Sequence, residues 1–445
     1  MSIERIKRIS GVDFHVLGTL LFRGWTVIAG AAMVLFVPVW FGQVEQGYYY
    51  TFASLLALQV FFELGMNQVV VQLVGHEVAH LRQGPVNLLE GDDVNLDRLT
   101  SLARLLQKWY AIAAMFFAIA VGVVGFYFFR ERSELPMAGW LIPWIALTVF
   151  SAGNLYYSPA LAFIEGCGRV GEVAKLRLHQ SIIGFLLLWI ALSCGAGLWA
   201  TPLVPAVACI YTGAWLRKTS NVRAWLIARS PLDEARRVIW RHEIFPFQWR
   251  IALSWVSGYF IFQLFTPMIF SRQGAVEAGR LGISLSIFTA VTSVGMSWVA
   301  AKIPVFAGYI ARGQRKELNL EFKSVLKRSI FFIVLACSAV VISVALLSYA
   351  NVKFVSRLAT IEVLVCLAIA TIANGVVFAA AIYMRAHKEE PMLMPSLASG
   401  IAILGATYIT ASWSVTWVMA CYAAISALIT LPWTLMLLRG YFRRA

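Results

Sequence analysis

Apolar and polar positions along the chain alternate in long blocks, with apolar runs separated by short polar turns. About 20 consecutive apolar residues cross a bilayer as a helix, and hydropathy predicts twelve such helices. They lie near residues 15–41, 47–74, 107–129, 137–163, 180–198, 201–216, 250–271, 280–304, 329–349, 359–383, 393–411 and 415–438. The pattern therefore predicts an all-α polytopic membrane protein of about twelve transmembrane helices.

The first two runs, His15–Phe41 and Gly47–Val74, are joined by a short turn and predict an antiparallel hairpin. Each run contains one ionisable residue well inside it, Arg23 in the first and Glu63 in the second. At ~1.5 Å per residue, Arg23 lies ~12 Å beyond His15 and Glu63 lies ~16 Å before Val74. Both ends are on the same side, so we expect the two charges at similar depth, close enough to pair.

Both charges belong to polar stripes at helical spacing. The stripes are Thr19, Arg23, Thr26 and Gly30 on the first helix, and Gln59, Glu63 and Asn67 on the second. A charge in mid-membrane is costly and normally faces a bundle interior or a wet cavity. Two interpretations remain open and are compatible: an ion pair that locks the hairpin, and an Arg23 that meets an anionic substrate in a cavity.

Composition and charge agree with this class. The chain has 445 residues, of which 60% are hydrophobic, and a mean hydropathy of +0.75, which excludes a soluble globular protein. With twelve spans both termini share one side, and that side carries 30 of the 37 lysines and arginines. The positive-inside rule then predicts cytoplasmic termini. The net charge of +15 thus follows from topology and favours anionic lipids, and no nucleic-acid partner is needed.

The cysteines and the N-terminus add two expectations. The six cysteines lie in or beside predicted helices without paired spacing, so we expect neither a disulfide framework nor a metal site. The first apolar run follows a basic segment but is too long for a cleaved signal peptide and contains Arg23. It is therefore interpreted as a retained first helix.

The chain also repeats itself once. Val44–Gly47 and Val276–Gly279 share the pattern Val-Glu-x-Gly, each before an inward-running helix, and Gly65-Met66 and Gly295-Met296 follow at similar distances. Basic loops come next in both copies, so the first hairpin corresponds to helices seven and eight. This predicts two parallel lobes of six helices: residues 1–216, a cytoplasmic linker at 217–249, and residues 250–445.

The two halves differ at the charged positions. Arg23 falls opposite Trp255, and Glu63 falls opposite a position near Ser293. The seventh helix carries Trp255, Tyr259, Gln263 and Thr266 at helical spacing, a stripe typical of packing that would also suit sugar stacking. The candidate cavity residues are Arg23, Gln59, Glu63, Asn67, Trp255, Tyr259 and Gln263.

These residues resemble a known family, the lipid-linked oligosaccharide flippases of the multidrug/oligosaccharidyl-lipid/polysaccharide exporter superfamily. The resemblance rests on Arg23-Gly24, on Phe-Gly-x-x-x-x-Gly-Tyr from Phe41 to Tyr48, and on Glu-Leu-Gly-Met from Glu63 to Met66. The turn reads Gly42-Gln43-Val44-Glu45 where many relatives open with Gly-Pro-Glu. The resemblance covers the whole chain as topology, and specific residues mainly in helices one, two, seven and eight.

The resemblance implies a flippase that moves undecaprenyl-diphosphate-linked oligosaccharide repeat units from the cytoplasmic to the outer leaflet of the bacterial inner membrane. Such units supply O-antigen or exopolysaccharide synthesis, and alternating access by rocking of the lobes is implied. Partners would be the lipid-linked oligosaccharide, membrane lipids and the polysaccharide polymerase and chain-length machinery. We expect no enzyme activity and no cofactor.

Other chemistries fit the sequence less well or stay open beside this function. His76-Glu77-Val78-Ala79-His80 is a literal His-Glu-x-x-His, the zinc-protease pattern, but only Glu90, Asp92 and Asp93 lie near as third ligands. A polysaccharide polymerase or ligase would carry a large outer loop, whereas the long loops here are predicted inside. A cation-coupled drug exporter of the same superfamily stays open, with Glu63 as the one clearly buried acid.

Overall fold

A computed structural model describes residues 14–83, 89–91, 93–219, 238–387 and 391–443. Within these ranges the chain is almost entirely helical. The helices are α1 (Phe14–Trp40), α2 (Gln43–Leu56), α3 (Val60–Glu63), α4 (Met66–Val78), α5 (Asp93–Glu131), α6 (Met137–Gly166), α7 (Val170–Ser193), α8 (Leu203–Thr219), α9 (Phe245–Phe262), α10 (Phe265–Gln273), α11 (Ala275–Ala301), α12 (Ile303–Ala311), α13 (Arg315–Tyr349), α14 (Ile361–Ala386), α15 (Leu393–Thr410), α16 (Val415–Ala424) and α17 (Leu431–Arg443).

Short elements complete the chain. Single 3₁₀ turns lie at Ala57–Gln59, Gly197–Ala200 and Lys353–Arg357, and π-helical turns lie at Trp240–Ile244 and Ile425–Thr430. A small antiparallel pair, β1 (Leu81–Gln83) and β2 (Leu89–Gly91), follows α4, with Leu81 opposite Gly91.

The described residues contain 11 helices long and apolar enough to cross a membrane, and 12 if the bent segment from Gln43 to Val78 is one span. The chain is thus an all-α, multi-pass membrane protein, and the predicted fold class is confirmed. Two helices are much longer than expected: α5 begins at Asp93 and α13 at Arg315, where hydropathy alone placed starts near 107 and 329. Their first turns are polar and extend the helix beyond the apolar span, which a hydropathy reading does not detect.

The second span is broken inside its apolar run. After α2 the chain makes a 3₁₀ turn, forms the four-residue α3 and then breaks at Leu64 and Gly65, so that the flanking pieces are bent by 42°. Leu64 and Gly65 both have left-handed backbones, with φ of 49° and 67°. A Cβ on Gly65 would lie 2.3 Å from Cγ2 of Ile251. Glycine is therefore required at this position by both conformation and space.

Both copies of the Val-Glu-x-Gly motif lie at the start of a helix. Gly42 and Gly274 stand at the N-caps of α2 and α11, and each helix begins one residue before its Val-Glu pair. The second sequence anchor is not equivalent in structure, because Gly295 lies within the continuous helix α11. The first copy breaks at Gly65, whereas the second continues to Lys302 before α12.

Helices α2 and α11 cross at the duplicated glycines. A Cβ on Gly47 would lie 1.9 Å from the carbonyl oxygen of Ala275, and one on Gly279 would lie 2.8 Å from the nitrogen of Gly47. The side-chain amide of Gln46 donates to the carbonyl oxygens of Gly279, at 2.9 Å, and Arg357, at 3.1 Å. Gly282 packs against Tyr50 in the same way, with a would-be Cβ 2.4 Å from its ring. Small residues thus bring the two backbones into direct contact.

By packing, the chain divides into two compact units. Among the described residues, one unit contains those up to Ala29 together with those between Leu58 and Ala252, and the other contains Gly30–Ala57 with those from Leu253 onward. The sequence-predicted lobes 1–216 and 250–445 remain a prediction, and residues 30–57 pack with the second unit. The linker predicted at 217–249 lies partly outside the described residues.

Each unit has its own core. In the first, Phe129, Trp140 and Trp144 pack together between α5 and α6, and all three are fully buried. In the second, Phe306, Phe322 and Tyr383 form an aromatic cluster that joins α12, α13 and α14.

Candidate functional site

Three predicted site residues meet in the first unit, at the break in the second span. Glu63 is the last residue of α3, and its carboxylate accepts a hydrogen bond of 2.6 Å from Nδ2 of Asn67 in α4. The side-chain amide of Gln59, in the preceding 3₁₀ turn, also bonds to Glu63. Glu63 and Asn67 lie on either side of the left-handed residues Leu64 and Gly65. A polar cluster within a discontinuous membrane helix is a recurring arrangement for transporter binding sites.

Two further residues join this cluster that sequence reasoning did not select. Tyr110 of α5 is fully buried, and its hydroxyl donates to Oδ1 of Asn67 at 3.4 Å and lies within hydrogen-bonding reach of Ser158. Arg177 of α7 acts electrostatically on Glu63 and pairs with Glu165 at 2.9 Å. Their only sequence signal was a polar or charged side chain near the end of an apolar run.

Arg23 does not pair with Glu63, so the predicted ion pair is wrong. Arg23 is exposed, and among the described residues it forms no ion pair or side-chain hydrogen bond. The reason is local: α1 packs on α7 through Trp25, whose Nε1 donates to Oγ of Ser181 at 3.1 Å, and through its ring contact with Trp189. Glu63 is held instead by neighbours on its own broken helix.

The polar stripe of α1 is open. Arg23 and Thr26 are exposed, and a Cβ on Gly24 or Gly30 would meet nothing within 4 Å. The hydroxyl of Thr26 donates to its own helix, to the carbonyl of Phe22 at 2.9 Å. An arginine here presents a guanidinium that a ligand can reach.

The predicted stripe of the seventh helix, in the second unit, is only partly regular. Trp255 is 39% exposed, whereas Tyr259 is 7% exposed and belongs to the core. Gln263 is exposed and lies in the break between α9 and α10, while Thr266 is buried beyond it. The helical spacing assumed from sequence therefore ends at Phe262, because the span is interrupted there.

In the His-Glu-x-x-His motif at the end of α4, the glutamate forms an ion pair with α5 and the two histidines are exposed. Glu77 is 7% exposed and accepts a 2.9 Å bond from Nε of Arg98, whose Nη2 also pairs with Glu243. His76 and His80 are exposed, with ring centroids 5.6 Å apart. No group of three potential metal ligands occurs in the described part of the chain.

Glu243 sits in the π-helical turn that precedes α9. Burial alone would raise the pKa of its carboxyl, but the N–H of Ile239 and the guanidinium of Arg98 outweigh burial and hold that pKa below its ordinary value. Glu243 is therefore ionised at neutral pH and holds the turn against α5 through Arg98.

Comparison with known proteins identifies the fold through solved structures. The sequence matches no protein-family profile and no curated protein. Among solved structures, the lipid II flippase MurJ in an inward closed conformation superposes with a TM-score of 0.60 at 12% identity, over 96% of this chain and 88% of that one.

Multidrug resistance MATE family transporters of the MOP superfamily also superpose. The inward-facing structure gives a TM-score of 0.52 at 14% identity, over 94% of this chain and 99% of that one. The outward-facing structure gives 0.51 at 13% identity, over 96% and 95%. The chain therefore has the fold that these transporters and flippases share.

Proposed function

We propose that the protein is a flippase for undecaprenyl-diphosphate-linked oligosaccharides, working from the cytoplasmic to the outer leaflet of the bacterial inner membrane for surface polysaccharide synthesis. The observation that carries the proposal is Arg23, an exposed guanidinium near the start of the candidate span Leu21–Trp40. Among the described residues no acid neutralises it. The fold shared with a lipid II flippase supports the same class of substrate.

The charged headgroup is the part of the substrate that is costly to move across the membrane. A sugar chain on a diphosphate must pass hydrocarbon while its lipid tail stays in the bilayer, and bare charge in that region is costly. Arg23 offers planar, bidentate donors that match diphosphate oxygens. The amides of Gln59 and Asn67, which hold Glu63, would be able to exchange partners with sugar hydroxyls.

The broken span gives this site a mechanical role. Glu63 and its partners lie where the helix is interrupted at Leu64 and Gly65. Rearrangement there would change the direction of the span, and helical hydrogen bonding is already interrupted at these residues. In alternating access, this break would act as a hinge, so that the segments of the span before and after it could move separately.

A reconstituted assay tests the proposal. Purified protein in liposomes is given a polyprenyl diphosphate that carries a fluorescent or radiolabelled sugar, and the fraction accessible to an outside enzyme is followed. We expect translocation that requires the diphosphate and fails for a neutral polyprenyl glycoside. Equal rates for both lipids, or none above empty liposomes, would contradict the proposal.

A second candidate function is favoured by Glu63. Cation-coupled drug export would use a carboxylate within a membrane helix, and the fold is also that of MATE transporters. Glu63 is partly buried, not fully buried as expected, and the acids buried in the described residues are Glu77 and Asp97. In that case Glu63→Gln would abolish drug resistance and leave polysaccharide export unchanged, whereas a flippase predicts no drug phenotype.

For the flippase, the proposed partners beyond substrate and lipid are the polymerase and chain-length machinery that would receive the flipped units.

A further inference from the structure

We propose that the aromatic surface beside the start of α9 is the first docking site for the substrate headgroup at the inner leaflet, before the headgroup reaches Arg23. We name it the tryptophan platform: Trp109 of α5, with Trp240, Phe245 and Trp249 on the segment that leads into α9. This inference rests on the proposed function and on the predicted cytoplasmic side of both elements.

The position of the platform is fixed by contacts between residues 238–245 and one face of α5. Oγ of Ser101 accepts the backbone N–H of Val238 at 3.0 Å. One turn before it, Arg98 pairs with Glu243. Farther along, Trp109 stacks on Trp240, with centroids 6.3 Å apart and planes at 24°. Positions 98, 101 and 109 follow helical spacing, so α5 presents them together.

The platform presents rings and cations together. Trp109 is 40% exposed, Phe245 45% and Trp249 42%, and Phe245 contacts the ring of Trp240 at 5.1 Å. Lys108 and Arg241, the sequence neighbours of the stacked tryptophans, are both exposed. Adjacent helical positions point in different directions, so these two cations flank the rings. The acid nearest in sequence, Glu243, is already paired with Arg98, and the exposed charges next to the rings in sequence are therefore positive.

An unsatisfied donor lies beneath the rings. Gln248 is 2% exposed, and its Oε1 accepts the indole N–H of Trp240 at 3.0 Å. Its Nε2 is buried and has no hydrogen-bond partner among the described residues. A buried donor without a partner costs free energy, so a shift of the neighbouring rings that admits an acceptor, such as a sugar hydroxyl, would be favoured by the new hydrogen bond.

One ligand combines the chemistries that this surface offers. Aromatic rings stack on the apolar faces of sugars, Lys108 and Arg241 complement a diphosphate, and exposed Ile239, Phe245 and Trp249 suit a prenyl chain. Interfacial tryptophans are common in membrane proteins, but a plain belt does not require a stacked pair or a buried unpaired amide. We therefore assign the surface to the lipid-linked sugar headgroup rather than to bulk phospholipid.

Binding to protein in neutral phosphatidylcholine nanodiscs tests the assignment. The probe is a polyprenyl diphosphate bearing one N-acetylhexosamine, and the competitors are phosphatidylglycerol and inorganic diphosphate. We expect Trp109→Leu and Arg241→Gln each to weaken probe binding about tenfold, the size of a central contact. Trp240→Phe keeps a ring and should lose less. The matched control is Trp413→Leu, which alters another exposed, paired tryptophan on a predicted outer turn.

The outcomes separate the two proposals. If wild type binds the probe and the platform variants bind it equally well, the docking site is wrong while the flippase function stands. If phosphatidylglycerol displaces the probe at equal concentration, the surface is a general anionic-lipid site and the assignment also fails. If wild type does not bind the probe at all, the proposed function itself is contradicted. Thermal unfolding in detergent confirms that each variant is folded.

Discussion

At the scale of single residues, the sequence predicted a polar cluster and an ion pair, and the structure has only the cluster. The amides of Gln59 and Asn67 bond to Glu63 as their spacing suggested, whereas the ion pair predicted between Arg23 and Glu63 is wrong. Their pairing could not be read from sequence, because Trp25 docks α1 on α7 and Asn67 supplies the bond to Glu63. Tyr110 and Arg177 come from other helices, and no periodic pattern links residues so far apart.

The role of Arg23 can be tested by charge and shape. We expect Arg23→Ala to abolish export at normal membrane levels, because the anionic headgroup loses its counter-charge. Arg23→Lys should retain partial export, since it keeps the charge without the bidentate geometry. The measurement is accumulation of lipid-linked oligosaccharide on the inner leaflet.

A double variant gives the control for Arg23. Glu63 has its own hydrogen bonds from Gln59 and Asn67, so Arg23→Ala combined with Glu63→Gln should not recover export. Recovery in the double variant would mean that the two residues act as a pair, and it would remove the substrate-binding role of Arg23.

The His-Glu-x-x-His motif offers a second residue-scale prediction. His76→Ala and His80→Ala should leave export and metal content unchanged, because both side chains are exposed and the described residues provide no third ligand. Glu77→Ala should lower the free energy of unfolding by about 1–3 kcal/mol, since Arg98 loses a largely buried partner. Thermal unfolding and metal analysis measure both. Stoichiometric zinc, or loss of export in His76→Ala with normal expression, would contradict this account.

At the scale of elements, hydropathy found the spans but not their interruptions. Glycine within an apolar run was the one available signal for the break at Gly65, and the same signal was false for Gly295, which lies in a continuous helix. Crowding does not distinguish the two glycines, since a Cβ would lie 2.3 Å from Ile251 at Gly65 and 2.4 Å from Ile333 at Gly295. They differ in backbone conformation, because Leu64 and Gly65 are left-handed whereas Gly295 is helical. The starts of α5 and α13 were missed for another reason: their first turns are polar, so hydropathy does not detect them.

The crossing of α2 and α11 gives the element-scale prediction. Gly47→Ala should sharply reduce folded protein, because its methyl group would overlap the backbone of Ala275, at 1.9 Å from the carbonyl oxygen, and backbone cannot yield as a side chain can. Gly139→Ala is the matched control, since a Cβ there meets nothing within 4 Å. Membrane levels and monodispersity in detergent are the measurement. Equal yields of the two variants would show that α2 and α11 can move apart at the crossing without loss of folded protein, and would contradict this prediction.

At the scale of the whole molecule, the sequence predicted the multi-pass, all-α class and a duplication, and both follow from patterns that are repeated over many residues. The packing of Gly30–Ala57 with the second unit did not follow from the repeat. This packing depends on the fit of a few small residues where α2 and α11 cross. Hydropathy averaged over long segments does not detect such a local fit.

Sidedness is the prediction that belongs to this scale. The excess of lysine and arginine predicts both termini and the region around Ser230 in the cytoplasm. Reporter fusions at Ala445 and near Ser230 should be active only for a cytoplasmic reporter, and a fusion in the turn near Trp413 only for a periplasmic one. Periplasmic behaviour of the first two would overturn the topology, and with it the inner-leaflet position of the tryptophan platform.

The contact between Gly47 and Gly279 has a consequence for how this part of the chain can change by mutation. A Cβ on Gly279 would lie 2.8 Å from the backbone nitrogen of Gly47, whereas a Cβ on Gly47 would lie 1.9 Å from the carbonyl oxygen of Ala275. The two glycines therefore face different neighbours although they hold the same place in the Val-Glu-x-Gly motif. Because each clash is with backbone atoms, which every residue has, a substitution at one glycine would not be relieved by a compensating side chain at the other. Each position is therefore restricted to glycine separately, and no pair of changes at this crossing restores the fit.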